Sequence, residues 1–142
     1  RKAGREFDAL CCIYPTAVLT RAATLQSGLE LLQANKDAAC VLGVVAFEHP
    51  VQRALVVRND KLQMLQPEHA HTRTQDLETT YHDAGQWYWI RTAALRDPEF
   101  RILGPTARPL VLDALESQDI DTEQDWTLAE AKFRLLRGGS SA

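Results

Sequence analysis

The sequence predicts an α/β fold whose sheet is at least partly parallel. Three observations carry this. An apolar run, an amphipathic stretch and a second apolar run follow one another over residues 8–47, the order and lengths of a strand–helix–strand crossover. Shorter strand patterns come next, among them the aromatic "GQWYWIR" of residues 85–91. The chain then closes on a stretch, 122–137, whose apolar residues recur at helical spacing.

Taken in order, "DALCCIY", residues 8–14, is continuously apolar and suits a strand buried on both faces, ended by Pro15. Thr20 is placed to cap a helix reaching about Asn35. Leu25, Leu29 and Leu32 form its apolar stripe, and Gln26, Glu30 and Gln33 its wet side. "AACVLGVVAF", residues 38–47, reads as a second buried strand. "RALVVRNDKLQML", residues 53–65, reads as two short strands around an Asn59-Asp60 turn. A polar excursion, "PEHAHTRTQDLETTYHD", separates this hairpin from the aromatic strand; such a segment in a compact domain usually carries function or a contact. A short helix is predicted around Thr92–Arg96 and a short strand over "RPLVLD", residues 108–113. The final helix runs from Thr122 to Arg137, with Trp126, Ala129, Phe133 and Leu136 as its stripe. Gly138-Gly139 stops it, and the "GGSSA" tail is expected to fray.

Bulk properties narrow the function classes. The chain has 142 residues, 45% of them hydrophobic, which suits one packed domain. A net charge of −3 gives no basic field for a nucleic-acid polymer or an anionic membrane. No apolar run approaches the roughly 18 residues of a membrane span. The three cysteines, Cys11, Cys12 and Cys40, all lie in apolar runs and make a poor disulfide framework. They are expected to be small buried hydrophobes in a reducing cytoplasm.

Three constellations carry candidate chemistry. In "SQDIDTEQDW", Asp119 and Asp121 stand one residue apart. On an extended segment they point the same way, Ile120 turns inward, and two carboxylates can meet one Mg²⁺. Equally, Thr122 or Asp121 can cap the final helix, with the acids answering its positive end. The second constellation gathers His69, His71, Arg73, Gln75, His82, Asp83 and Gln86 with four aromatics over residues 68–89. Its spacing matches no strong zinc signature. It suits an anionic, polyhydroxylated small molecule, with Arg gripping a carboxylate and Gln and Asp reading hydroxyls; a solvated loop beside an ordinary strand fits as well. In the third, Tyr14 and Thr16 follow the first strand, where α/β sheets bind ligands, or simply connect strand to helix. No glycine-rich loop cradles a triphosphate: "RGGSS" follows a helix instead of opening one.

Taken together and in this order, "CCIYPTA", "HPVQRAL", "TRTQDLETTYHDAGQWYW" and "QDIDTEQDW" resemble the cytidylyltransferases that activate nonulosonic, sialic-like acids, most of all the branch acting on pseudaminic acid. The resemblance runs from about Phe7 to Leu136. It implies a Rossmann-like nucleotide-diphospho-sugar transferase fold with a mixed, mostly parallel sheet and a hairpin or arm insert. Residues 1–142 are then the carboxyl-terminal portion of one cytidylyltransferase domain. Residues 50–82 correspond to the insert through which the family forms homodimers.

The implied reaction joins CTP to the sugar acid, giving the CMP-sugar and pyrophosphate. By resemblance Asp119 and Asp121 are the catalytic, Mg²⁺-binding carboxylates. Tyr14, Thr16, Gln52, Arg53, Arg73, Gln75, His82, Asp83 and Gln86 are the substrate-binding set, with Arg73 near the sugar carboxylate. Sialic acid members carry a Gln where Tyr14 stands, and an Arg and an Asn where His82 and Ala84 stand before Gly85. These departures favour pseudaminic acid over N-acetylneuraminic or legionaminic acid. The chain opens on "RKAGREFDAL" without a Met, as though inside a longer protein, and the family's basic, glycine-rich nucleotide loop is not in it. The activity is therefore expected of the full-length parent, with this chain inactive alone. The competing class is a non-catalytic dimerisation or interaction domain made from the same fold.

Overall fold

The computed structural model describes residues 6–138. The chain divides into two compact units: one takes the residues up to Val45 and those from Asp83 onward, the other is Ala46–His82.

The larger unit is built on the strands β1 (Ala9–Ile13), β2 (Cys40–Ala46), β5 (Tyr81–Arg91) and β6 (Ala107–Val111), with the helices α1 (Ala22–Ala34) and α2 (Glu123–Gly138). The sheet order is β1-β5-β2-β6. β2 and β6 pair in parallel, Gly43 opposite Leu110. β1 and β5 pair antiparallel, Cys11 opposite Trp89. β5 also runs against β2: Arg91 N–H donates to the Ala39 carbonyl at one end, while Gly43 faces Ala84 further along.

The sheet is therefore mixed and mostly antiparallel, with one parallel pair, and the expectation of a mostly parallel sheet is corrected. The physical reason is the position of β5. The crossover β1–α1–β2 does join two strands of like direction, but β5 lies between them and takes the backbone hydrogen bonds that a neighbouring parallel pair would have shared.

β2 is the spine, buried along all but its last residue. Its side chains divide between two clusters, one on each face. Val41 and Val45 pack with Leu32, Ala84, Trp87 and Leu112. Cys40, Leu42 and Val44 pack with Tyr88 and Ile90. Trp87 is wholly buried, and a methyl at Gly28 of α1 would stand 2.8 Å from its ring. The helix can lie this close to β5 only because residue 28 has no side chain. Truncating Trp87 to Ala is worth about 3–5 kcal/mol at a site so enclosed.

β1 differs from its prediction. It lies at the edge of the sheet and is half-buried at best, with Cys12 and Ile13 exposed. Cys12 is thus not a core residue, whereas Cys40 is. Cys11 beside it is pushed up to about 11, by burial first and then by Cys12, so its thiol stays protonated at neutral pH. Burial raises Cys40 likewise.

α1 begins at Ala22 with no side-chain cap from its N-cap residue, Arg21. Thr20 does not cap it: the N-cap position falls one residue later, on Arg21, and the Thr20 hydroxyl donates to Gln86 Oε1 at 3.1 Å. The other end of α1 is closed by Arg91, whose guanidinium donates to the carbonyls of Leu32, Asn35 and Ala38, a cation set against the negative end of the helix.

The smaller unit holds the hairpin of β3 (Leu55–Arg58) and β4 (Lys61–Met64). Asn59 and Asp60 both have positive φ, 51° and 58°, as a two-residue type I′ turn requires. Two short 3-10 turns follow, Pro67–His69 and Thr74–Asp76. Among the described residues no helix is long and apolar enough to cross a membrane. The expected fraying of residues 139–142 falls outside the described residues.

Candidate functional site

The acidic pair lies between two fixed points. Residues 117–120 carry no helix or strand, Asp119 and Asp121 are exposed, and Ile120 is half-buried between them. The alternation is the one an extended segment imposes. Cap duty at α2 goes to other groups. Thr122 N–H donates to Asp125 Oδ2 at 2.9 Å, and Asp125 N–H donates back to Thr122 Oγ1 at 3.3 Å, a reciprocal box at the helix start. The Thr122 hydroxyl also holds the Asp125 carboxylate at 2.7 Å. That bond, followed by the Asp121 N–H, draws the Asp125 carboxyl below its ordinary range. Among the described residues neither the Asp119 nor the Asp121 carboxylate has a hydrogen-bond or ion-pair partner. An open depression lined by Ile120, Asp121, Thr122, Glu123 and Trp126 lies beside them.

Behind the pair stands the early part of β5. Gly85 adopts φ +64°, and a methyl there would come 4.0 Å from Asp119 Oδ1. The Asp83 carboxylate shapes this turn: one oxygen accepts from Gly85 N–H at 2.9 Å, the other from the Tyr88 hydroxyl at 2.8 Å. Burial, then the bond to Asp83 and its charge, push the Tyr88 hydroxyl far above its ordinary value, with Tyr14 adding to the effect. Tyr88 is thus a fixed donor. Tyr14 is half exposed, stacks obliquely on Tyr88 at 5.4 Å between centroids and continues the ladder through its N–H to the Gln86 carbonyl. Thr16 is half-buried in the turn that follows, its carbonyl accepting from Val18 N–H.

Gln86 is 2% exposed, and both ends of its amide are engaged. Oε1 accepts from Thr20, and Nε2 donates to the Glu116 carbonyl at 2.7 Å. Glu116 in turn accepts from Arg21 at 2.7 Å and Thr24 at 2.8 Å, tying α1 to the same loop.

The remaining candidates belong to the smaller unit. The Arg73 guanidinium grips the Asp76 carboxylate through Nε at 2.9 Å and Nη2 at 3.3 Å. Gln75 lies exposed in the same turn. Gln52 donates to the Glu78 carbonyl at 2.9 Å, while its Oε1 is buried without a partner among the described residues. Arg53 is exposed and borders an open pocket with Glu48, His49 and Thr74. The His82 ring packs on Phe47 at 5.0 Å. Among the described residues no group of three or more His, Cys, Asp or Glu side chains converges as a metal cluster.

The larger unit thus brings together Tyr14, Asp83, Gln86 and Asp119, at the edge where β1, β2 and β6 end and β5 begins. Sequence reasoning did not single out Glu116 or Lys132 and took Tyr88 only as one of four aromatics, though all three are part of this scaffold. Lys132 donates to the carbonyls of Ala114 and Ser117, and burial lowers its ammonium from the ordinary value. Their roles are not local, since their partners lie 5 to 95 positions away.

Two exposed carboxylates, without partners among the described residues, thus lie on an extended segment at the edge of the α/β sheet where strands end. Sequence comparison identifies relatives over most of the chain. Over 130 residues, 91% of this chain, it is 32% identical to pseudaminic acid cytidylyltransferases of two Campylobacter jejuni strains. It is 31% identical, again over 130 residues, to a Helicobacter pylori protein named as pseudaminic acid cytidylyltransferase and UDP-2,4-diacetamido-2,4,6-trideoxy-beta-L-altropyranose hydrolase. Over most of its length the chain is thus a homologue of proteins named pseudaminic acid cytidylyltransferase. It spans about half the length of the Campylobacter relatives (55%) and a quarter of the Helicobacter one (25%). No protein-family model matches it.

Proposed function

We propose that the full-length protein containing this chain transfers CMP from CTP to a nonulosonic acid, pseudaminic acid in the first place, releasing pyrophosphate. The fold is then the Rossmann-like one of nucleotide-diphospho-sugar transferases. The observation that carries the reading is the pair Asp119 and Asp121: exposed, without partners among the described residues, and relieved of helix capping by Thr122 and Asp125. Carboxylates kept so free in a homologue of cytidylyltransferases suit a divalent cation.

Mg²⁺ bound by these two residues supplies positive charge against the phosphates of CTP. The chain's own groups supply placement. Gly85, in the left-handed conformation, turns the backbone behind Asp119, and Gln86 fixes the 114–117 loop that leads into the pair. Tyr14 offers an apolar wall beside the site, and we assign Arg73 to the sugar carboxylate. Its fork already holds a carboxylate, that of Asp76, by two bonds. The anomeric hydroxyl of the sugar attacks the α-phosphate, the new O–P bond forms as the bond to pyrophosphate breaks, and alignment of these groups lowers the barrier. Activity on CTP goes with a cytoplasmic protein. The apolar face of the β3–β4 hairpin favours a homodimer formed through residues 50–82.

The test is Asp119→Ala and Asp121→Ala in the full-length protein, assayed for CMP-sugar formation at saturating Mg²⁺. Each is expected to lower turnover by on the order of a hundredfold or more, with little change in melting temperature because neither side chain has a partner to lose. Near-parental turnover in both variants overturns the metal role.

A further inference from the structure

α2 holds its neighbours with little apolar packing. Ala129 is its buried residue, while Trp126 and Phe133 remain 49% and 42% exposed. What ties it down is polar. The Lys132 ammonium donates to the Ser117 carbonyl at 2.6 Å and to the Ala114 carbonyl at 2.9 Å. One position between them, the Glu116 carbonyl accepts from Gln86 at 2.7 Å. Ser117 also reaches the Ala84 carbonyl at 3.4 Å. The turn 114–117 is therefore gripped by α2 on one side and β5 on the other.

Asp119 and Asp121 follow at once, and between Ser117 and Thr122 the backbone belongs to no helix or strand. Both ends of this four-residue span, 118–121, are fastened to the same helix. Lys132 holds the end at Ser117, and the Thr122–Asp125 box holds the end at Thr122. Side chains with no hydrogen bonds of their own are placed only by the backbone that carries them. An ammonium suits this fastening: it offers several donors at one point, so it can take two carbonyls that turn inward from an irregular turn.

We propose that Lys132 is a positioning residue for the acidic pair, setting the stance of the 118–121 span and through it the spacing of the Asp119 and Asp121 carboxylates. This rests on the reading of that pair as the Mg²⁺ site. Groups that orient metal ligands from behind typically govern affinity by about 10–100-fold when removed.

The experiment uses the full-length protein with CTP present and sugar absent. Mn²⁺, the paramagnetic stand-in for Mg²⁺, is titrated by its electron spin resonance signal. The Mg²⁺ concentration for half-maximal turnover is measured alongside. Lys132→Met keeps the stem and removes the donors; it is expected to weaken Mn²⁺ binding and raise the Mg²⁺ requirement about tenfold or more. The KM for CTP at saturating Mg²⁺ should stay near the parental value, a split that general loosening of the fold does not produce. Lys132→Arg, which restores donors, should recover most of the loss. Parental Mn²⁺ affinity and Mg²⁺ requirement in Lys132→Met overturn the proposal. Asp119→Asn separates the two levels: if it loses Mn²⁺ while Lys132→Met does not, only the positioning role falls, and if it binds Mn²⁺ like the parent, the metal site falls and the proposal with it. Should Lys132→Met fail to fold, Lys132→Gln is read in the same way, with reduced affinity expected and parental affinity overturning the proposal.

Discussion

Thr122 and Asp125 cap α2 for each other: Asp125 Oδ2 accepts from the Thr122 N–H at 2.9 Å, and Thr122 Oγ1 accepts from the Asp125 N–H at 3.3 Å. The consequence reaches beyond the helix. Four acids crowd residues 119–125, and the box occupies only the last of them, leaving the pair at 119 and 121 free for a ligand.

Thr122→Ala should cost about 1 kcal/mol, the usual price of losing a Thr cap, read by denaturant unfolding at pH 7. The partner carboxylate gives the pH dependence its sign. Asp125 is held below the 3.8 of an unperturbed Asp, so its contribution is full above that value and fades as pH falls through its lowered folded value. Parent and Asp125→Ala should therefore differ in stability at pH 7 and converge on acidification. A gap that persists unchanged to the acid end would contradict this.

Gly85 should resist substitution for a backbone reason. Its φ of +64° is open to glycine, and a methyl would meet nothing closer than Asp119 Oδ1 at 4.0 Å. Strain, and not crowding, is then the cost. Gly85→Ala should lose about 1–2 kcal/mol, and Gly85→Asn less, since Asn enters the left-handed region more readily. Equal losses for the two in chemical denaturation would point to sterics instead.

These cases show which parts of the molecule the sequence discloses. α1, β2, the hairpin and α2 were readable because their signals are local: helical spacing of Leu25, Leu29 and Leu32, an unbroken apolar run, an Asn-Asp turn between short strands. The sheet order was not, because pairing between β5 and β1 joins residues 74 to 82 positions apart and no local pattern encodes a neighbour at that distance. A boundary one residue off explains Thr20: its capping chemistry was legible, but the N-cap position falls on Arg21 and the Thr20 hydroxyl reaches Gln86 across the fold. The limit on sheet order explains Cys12, apolar in sequence and exposed at an edge. At the candidate site, "DID" announced itself by residue type and spacing. The division of labour between Asp125 and that pair, and the clasp from Lys132, depend on which groups the folded chain brings within 3 Å.

The hairpin makes a prediction about assembly. Val57 faces Leu62 and Leu55 faces Met64 across the two strands, so these side chains share one face. Val57 and Leu62 are 71% and 66% exposed, and a two-stranded hairpin has little stability of its own. A symmetric partner is the commonest cover for such a face. The full-length protein should be a homodimer by light scattering at micromolar concentration, and Val57→Asp with Leu62→Asp should shift it to monomer. A parental protein that is already monomeric refutes the assignment of this face.

The last prediction concerns the choice of sugar. Arg73 is assigned to the carboxylate that all nonulosonic acids share, so Arg73→Ala should weaken the use of every one of them without choosing among them. Selectivity should come from Tyr14, half exposed and backed by the fixed ring of Tyr88. Pseudaminic acid ends in a methyl group and carries fewer hydroxyls than N-acetylneuraminic acid. An aromatic wall favours the methyl by about 1–3 kcal/mol. Hydroxyls turned against the same wall lose water without gaining a partner, at a cost of about 1–3 kcal/mol each. The two effects add in the same direction, so the full-length protein should transfer CMP to pseudaminic acid and poorly to N-acetylneuraminic acid. Tyr14→Gln restores an amide at that position and should narrow the gap, mainly by improving the poorer substrate. Competition between the two sugars for CTP measures both quantities, and a parental preference for N-acetylneuraminic acid would move the assignment to the sialic acid branch.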